Sequence, residues 1–290
     1  MRDWLLEHQN ADGGWGYAPG KRSALEPTSL GLLALVGLAA GPKPVAQGCA
    51  WIRERCTPEG GFAGSAAESE PSWATPLAVL ALRAAGCEAL ACAGALAWLL
   101  ESSGRRIDDT STNELDGSLC GWSWYPGTFS WVEPTAYAIL AFKQDRRGDE
   151  ARVTEGERLL YDRVCQGGGW NYGNRRVLGV DLVPFDQVTA KVLLALQDRR
   201  ERKEVAATAE KTFSADLRRH RSTVTRGWEA LARDAWGRPQ TGAAEAVTEH
   251  LEADRELSTA ALSFAVAGLA AALPGFAPFR LGGVGQEKRE

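Results

Sequence analysis

The chain has 290 residues, enough to bury a large core as one domain or two small ones. Apolar residues make up 44% and charged residues 24%, with a net charge of -4, so nothing in the charge balance points to nucleic acid as a partner. The longest apolar runs, Leu30–Ala40 and Leu262–Leu273, fall short of the roughly 20 residues that a bilayer span needs, so no transmembrane segment is expected.

In chain order, the first unit opens on Trp4-Leu-Leu-Glu-His-Gln, passes through Asp12-Gly-Gly-Trp-Gly16, and ends in Glu26-Pro-Thr followed by the apolar run to Leu35. A second copy starts at Trp51, passes Gly60-Gly-Phe62 and reaches Thr75-Pro-Leu through Leu82. A third runs from Trp98 through Gly121-Trp122 to Glu133-Pro-Thr and Phe142. A fourth starts near Leu159, passes Gly168-Gly-Trp170 and reaches Thr189 through Leu196, and a degenerate fifth ends in Ser258–Ala265. Trp4 to Trp51 and Trp51 to Trp98 are each 47 residues, and Trp122 to Trp170 is 48. Between Phe62 and Trp122 the spacing stretches to 60, the excess being the polar insertion Ser103–Leu119. A fixed period of this length marks a repeat architecture.

Each copy pairs an amphipathic helix with one that is apolar nearly all round, hence buried on both sides. Two concentric layers of helices closing on themselves satisfy both characters. The expected fold is therefore all-α, an α/α toroid of about five helix hairpins over residues 1–280. Inner helices are expected from Thr28, Thr75, Thr135, Thr189 and Thr259, with a polar, Gly-rich tail at 281–290. Glycine serves the sharp turn before each Trp, and Pro fits the first turn of the inner helix.

Gln9-Asn-Ala-Asp-Gly-Gly-Trp-Gly16 resembles the QW motif of squalene–hopene cyclases, and Glu26-Pro-Thr and Glu133-Pro-Thr resemble the inner-helix starts of the squalene cyclase and protein prenyltransferase family. The likeness covers roughly Trp4 to Leu196. It implies the toroid fold, an isoprenoid or other apolar small molecule as ligand, and possible completion of the site by a partner subunit. One fold hosts many functions, so the site must be argued separately. The family's DxDD acid motif is absent: the matching positions read Leu25-Glu26-Pro27-Thr28, Trp131-Val132-Glu133-Pro134-Thr135 and Phe185-Asp186-Gln187-Val188-Thr189. Arg106-Ile107-Asp108-Asp109-Thr110 is superficially similar but sits in the polar insertion and reads as a solvated loop.

Prenyltransferase zinc is held by an Asp, a Cys and a later His. Asp116-Gly-Ser-Leu-Cys120 matches the start only loosely, and none of His8, His220 and His250 stands at the later inner-helix position. No metal and no cofactor are expected. The six Cys include no C-x-x-C pair, and Met1 leads directly into Arg2-Asp3-Trp4 without the character of a signal peptide, so reduced thiols and a cytoplasmic location are expected.

Glu133, and after it Glu26, are the candidate catalytic acids, since both align with the family's proton donor. As caps they would be stabilised as anions; as desolvated carboxyls at an apolar cavity they could protonate an alkene or epoxide. Trp73, Trp131, Tyr137 and Phe185 either face a cavity and stabilise carbocations or pack between helix ends. Arg175 and Arg176, with Lys21-Arg22 and Arg105-Arg106, either gather on one rim to hold a diphosphate or form ordinary solvated loops. Arg199–Lys203 and Arg218–Arg221 read as solvated faces of outer helices. The function expected is isoprenoid handling as a cyclase, a transferase or a subunit of one; the alternative is a non-catalytic toroid binding a lipid or protein. A carbohydrate-active α/α barrel would explain the aromatics but not the repeat. A dry aromatic cavity holding a carboxyl group would favour catalysis, and a plugged lumen would favour the alternative.

Overall fold

The computed structural model describes residues 1–87, 89–108, 110–111, 114–253 and 260–282. Among these, twelve α-helices alternate between two layers. The inner layer is α2 (Leu25–Gly37), α4 (Thr75–Ala84), α6 (Val132–Gln144), α8 (Asp186–Ala195), α10 (Thr223–Ala235) and α12 (Ala261–Ala271). The outer layer is α1 (Arg2–Glu7), α3 (Pro42–Arg53), α5 (Ala89–Glu101), α7 (Ala151–Asp162), α9 (Lys203–Ser214) and α11 (Ala243–Ala253). Each inner helix packs on the next, and α12 packs back on α2, so the ring closes within one chain. A two-residue antiparallel pair, Arg176–Val177 with Val180–Asp181, is the strand content of the described residues.

The ring has six inner helices where the repeat pattern suggests about five. The additional pair is α9 and α10. It lacks both Gly-Gly-Trp and Glu-Pro-Thr, and α10 carries Arg226, Glu229, Arg233 and Asp234, which disguise an inner helix as a surface one. Glu229 is fully buried; it accepts from Arg219 and Arg233 at 2.7 Å each and pairs with His220 Nε2 at 2.6 Å. The segment expected as solvated outer helix at 218–221 is thus a 3-10 turn, Leu217–Arg219, whose arginine anchors a buried carboxylate. Arg199 is likewise paired, with Glu157 at 2.9 Å, in the connection before α9. Thr259 lies outside the described residues, and α12 starts at Ala261. Of the expected tail, Leu281 donates its N–H to Gln197 at 2.9 Å, and residues 283–290 lie outside the described set.

The repeat motif is a hydrogen-bonded unit. The backbone N–H of Trp15, Phe62, Trp122 and Trp170 donates to the hydroxyl of Thr28, Thr75, Thr135 and Thr189 at 2.9, 3.1, 2.9 and 3.0 Å. The indoles of Trp15, Trp122 and Trp170 donate to the carbonyls of Leu5, Leu99 and Leu160, tying each loop to the outer helix of its own repeat. These groups are buried, so each unpaired N–H would cost free energy. Gly169 shows why glycine precedes the Trp: its φ is +83°, and a Cβ there would meet the Thr189 hydroxyl at 2.9 Å.

A second bond stitches successive repeats. The first N–H of an inner helix has no partner within its own helix. Leu25 donates it to Gly64 O at 2.8 Å, and Val132 donates it to Tyr172 O at 2.9 Å, each acceptor two residues past the next repeat's motif aromatic. Ala261 completes the circle by donating to Tyr17 O at 3.1 Å.

Candidate functional site

All inner helices point their N-termini toward one rim, which places the heads of α2, α6, α8, α10 and α12 around the ring axis. There they enclose a lumen of about 180 Å³. Glu26 comes from α2, Glu133 from α6, Gln187 and Lys191 from α8, and Trp228 from α10; Trp73 enters from the loop before α4. The lumen shares Glu26, Trp73 and Trp124 with a wider mouth of about 500 Å³ at the rim.

Its walls are aromatic. Trp73 and Trp124 meet edge-on at 4.3 Å between centroids, and Tyr137 links Trp73 at 6.3 Å to Trp228 at 5.9 Å. The Tyr137 hydroxyl is buried without a hydrogen-bond partner among the described residues, and burial holds its pKa well above the ordinary value. Lys191 Nζ lies 5.5 Å from the Tyr137 ring and 5.2 Å from the Trp228 ring, within cation–π range of both.

The two glutamates expected as alternative caps are not caps. The N-cap positions of α2 and α6 are Ala24 and Trp131, with no side-chain capping bond. Glu133 is buried and forms an ion pair with Lys191, itself buried. Glu26, half-buried, accepts from the Tyr17 hydroxyl at 2.8 Å. Burial pushes the Glu26 carboxyl above the usual range, and the Glu133 charge adds to this; Lys191 and the Tyr17 hydrogen bond pull the other way without cancelling it.

The remaining expected residues divide. Trp73 lines the lumen, and Tyr137 packs behind it on two lumen-lining rings. Trp131 is half-buried and packs against Gly173 outside the lumen. Phe185 is 46% exposed and reaches the site only through Tyr172, 5.3 Å away, whose ring lines the lumen. Arg175 and Arg176 lie away from the axis. Arg175 is exposed and donates to Glu114 O at 3.2 Å; Arg176 pairs with Glu114 at 3.4 Å and Asp181 at 3.8 Å, because the hairpin turns both outward. Lys21, Arg22, Arg105 and Arg106 are exposed. No guanidinium cluster forms at the mouth among the described residues: its charged lining is Glu26, Glu68 and Glu70.

Lys191, Trp124, Trp228, Tyr172, Gln187 and Tyr17 are site residues that the sequence reading did not select. Lys191 carried a signal: a lysine inside the apolar run Val188–Leu196 must be paired or face a cavity. Asp108 is exposed, as expected for a solvated loop, and Asp109 lies outside the described residues. Among the described residues, no group of three or more His, Cys, Asp or Glu is placed to hold a metal ion, and no helix is long and apolar enough to cross a membrane.

No known family profile matches the chain, and no curated protein matches it in sequence. Solved structures do match in shape. The type II terpene cyclase MstE from Scytonema superposes with a TM-score of 0.55 at 15% identity over 88% of this chain and 75% of its own. Protein geranylgeranyltransferase-I from Candida albicans, solved with GGPP, gives 0.50 at 14% identity over 71% and 61%. The endoglucanase Cel10 from Klebsiella pneumoniae, a family 8 glycosyl hydrolase, gives 0.53 at 14% identity over 88% and 97%. The chain therefore has the α/α toroid fold of terpenoid cyclases and prenyltransferases, a fold that glycosidases share. At such identities the likeness concerns the fold alone.

Proposed function

We propose that the chain is an isoprenoid-handling catalyst that binds an uncharged polyene in its aromatic lumen and protonates it from Glu26. The observation that carries this reading is the Glu26 carboxyl, pushed toward its protonated form by burial, at the junction of the lumen and the mouth. Proton transfer from Glu26 to an alkene or epoxide leaves a cation on the substrate, and the faces of Trp73, Trp124 and Trp228 offer it π density. Lys191 alone would repel that cation; its pairing with Glu133 removes the net charge. Glu133 is therefore the residue that neutralises Lys191, and Glu26 takes the donor role.

A prenyl diphosphate fits poorly. Glu68 and Glu70 line the mouth with no Lys or Arg among its lining residues, and like charges oppose a phosphate there. The lumen is smaller than the usual small-molecule pocket of roughly 300–1,000 Å³, so a long chain must extend into the mouth. The same narrowness supports a second reading, a toroid that binds an apolar ligand without turnover.

Incubation with squalene, an aryl-linked polyprenyl chain and linear prenyl diphosphates, read by mass spectrometry, decides between them. The expected result is an isomeric cyclised product from an uncharged substrate, lost in Glu26→Gln. Binding of the polyene with no product selects the second reading, and turnover of a diphosphate refutes the assignment of the mouth.

A further inference from the structure

Of the six cysteines, two stand sulfur to sulfur. Cys49 Sγ on α3 lies 2.9 Å from Cys87 Sγ in the turn after α4. Three other sulfurs meet polar backbone or amide groups: Cys56 the Thr57 carbonyl, Cys92 the Val79 carbonyl and Cys165 the Asn171 side-chain amide. A disulfide needs about 2.05 Å between sulfurs, so closure requires a side-chain adjustment of less than about 1 Å and no refolding. The two thiols also differ in access. Cys49 is 6% exposed, whereas Cys87 is half-buried and opens onto a surface groove of about 430 Å³ with Arg83, Cys92, Asp145 and Arg147.

We propose that Cys49 and Cys87 are a modification site: a dithiol that hydrogen peroxide converts to a disulfide. The accessible Cys87 thiolate attacks the peroxide oxygen, the O–O bond breaks, and Cys87 becomes a sulfenic acid as water leaves. The Cys49 sulfur then attacks the sulfenic sulfur. The S–S bond forms, and the hydroxyl leaves as a second water with the Cys49 proton. Two thiols are oxidised by two electrons, and one peroxide is reduced to two waters. A dithiol reductant reverses the bond by exchange.

The bond joins the outer helix α3 to the turn after the inner helix α4 within the second repeat, enclosing the chain from 49 to 87. It sits on the C-terminal side of α4, on the rim opposite the Glu26 mouth. Its effect falls on the unfolding of this ring segment, and it takes no part in the chemistry at Glu26. This makes the inference independent of the function proposed above.

The experiment treats the full chain with a small excess of hydrogen peroxide and maps peptides without reduction. The expected product is one cross-link between the peptides holding Cys49 and Cys87, lighter by two hydrogens. The thermal midpoint should rise by roughly 5 °C, and a dithiol should reverse both changes. Cys87→Ser, at the half-exposed position, should abolish the cross-link and the rise, and Cys56→Ser should leave both intact. The proposal is overturned if peroxide leaves Cys87 as a sulfinic or sulfonic acid without a cross-link. A bond from Cys87 to Cys92, or an unchanged midpoint despite the cross-link, overturns it equally. Iodoacetamide labelling before oxidation supplies a second readout that needs no variant: alkylated Cys87 must block the cross-link.

Discussion

Lys191 on α8 reaches across the inner layer to Glu133 on α6, and both side chains are buried. A buried ion pair gains little over well-packed apolar residues, but breaking it strands a charge. Glu133→Gln alone should destabilise the fold by about 3–5 kcal/mol, and Glu133→Gln with Lys191→Met should recover most of that loss. Denaturant unfolding of the two single variants and the double variant measures the coupling. If the double variant loses the sum of the two single losses, the pair does not act as a unit.

Glu26 makes stability depend on pH in a defined direction. Its folded pKa is raised, so the folded state holds its proton over a range in which the unfolded chain has lost it. Below the ordinary carboxylate range, about pH 4, both states are protonated and Glu26 contributes nothing. As pH rises through the folded value, ionising the half-buried carboxyl costs stability. Glu26→Gln should therefore match the parent in thermal midpoint at low pH and exceed it at neutral pH. An equal difference at both pH values would remove the basis for its role as donor.

His220 works in the other sense. Burial opposes its protonation, but hydrogen bonds to Asp186 and Glu229 outweigh this and raise its pKa, with Arg219 opposing. Its stabilisation is complete below the ordinary histidine range and fades as pH rises through the raised value. Glu229, fully buried, is itself desolvated, yet His220, Arg219 and Arg233 hold its carboxyl below the usual range. Its share is lost as pH falls toward that value. His220→Gln should lower the midpoint more at pH 6 than at pH 9, as thermal melts in matched ionic strength will record.

Thr135→Val should cost about 1–3 kcal/mol, because the buried Trp122 N–H loses its acceptor and water cannot replace it. Thr28→Val, Thr75→Val and Thr189→Val should cost similar amounts, since each removes the equivalent bond. Urea unfolding of the four variants tests whether the motif is one unit used four times.

What the sequence disclosed follows from where its forces are local. Gly-Gly-Trp and the following Thr act within one repeat, so their spacing alone shows the ring and the position of Trp73 and Glu26 at its rim. The sixth hairpin was hidden because Glu229 is satisfied by Arg219 and His220, and Arg233 by Glu229 and the Thr212 and Phe213 carbonyls, partners that no periodicity reveals. Glu133 was legible as a position but not in its role, which Lys191 sets from another helix. Arg175 and Arg176 share a rim with the lumen, yet the turn at Leu178–Gly179 directs their hairpin outward, and that depends on tertiary placement.

The bond from Ala261 to Tyr17 repeats the one from Leu25 to Gly64, but its partners lie at opposite ends of the chain. Trp4 stacks on Phe264 at 3.9 Å beside it. During synthesis the first hairpin must therefore wait, with one flank of α2 uncovered, until α12 leaves the ribosome. An open stack of hairpins could gain stability step by step as it lengthens; here the ring closes only when α12 packs on α2, so a chain truncated before residue 261 should behave as an adhesive fragment rather than a smaller ring.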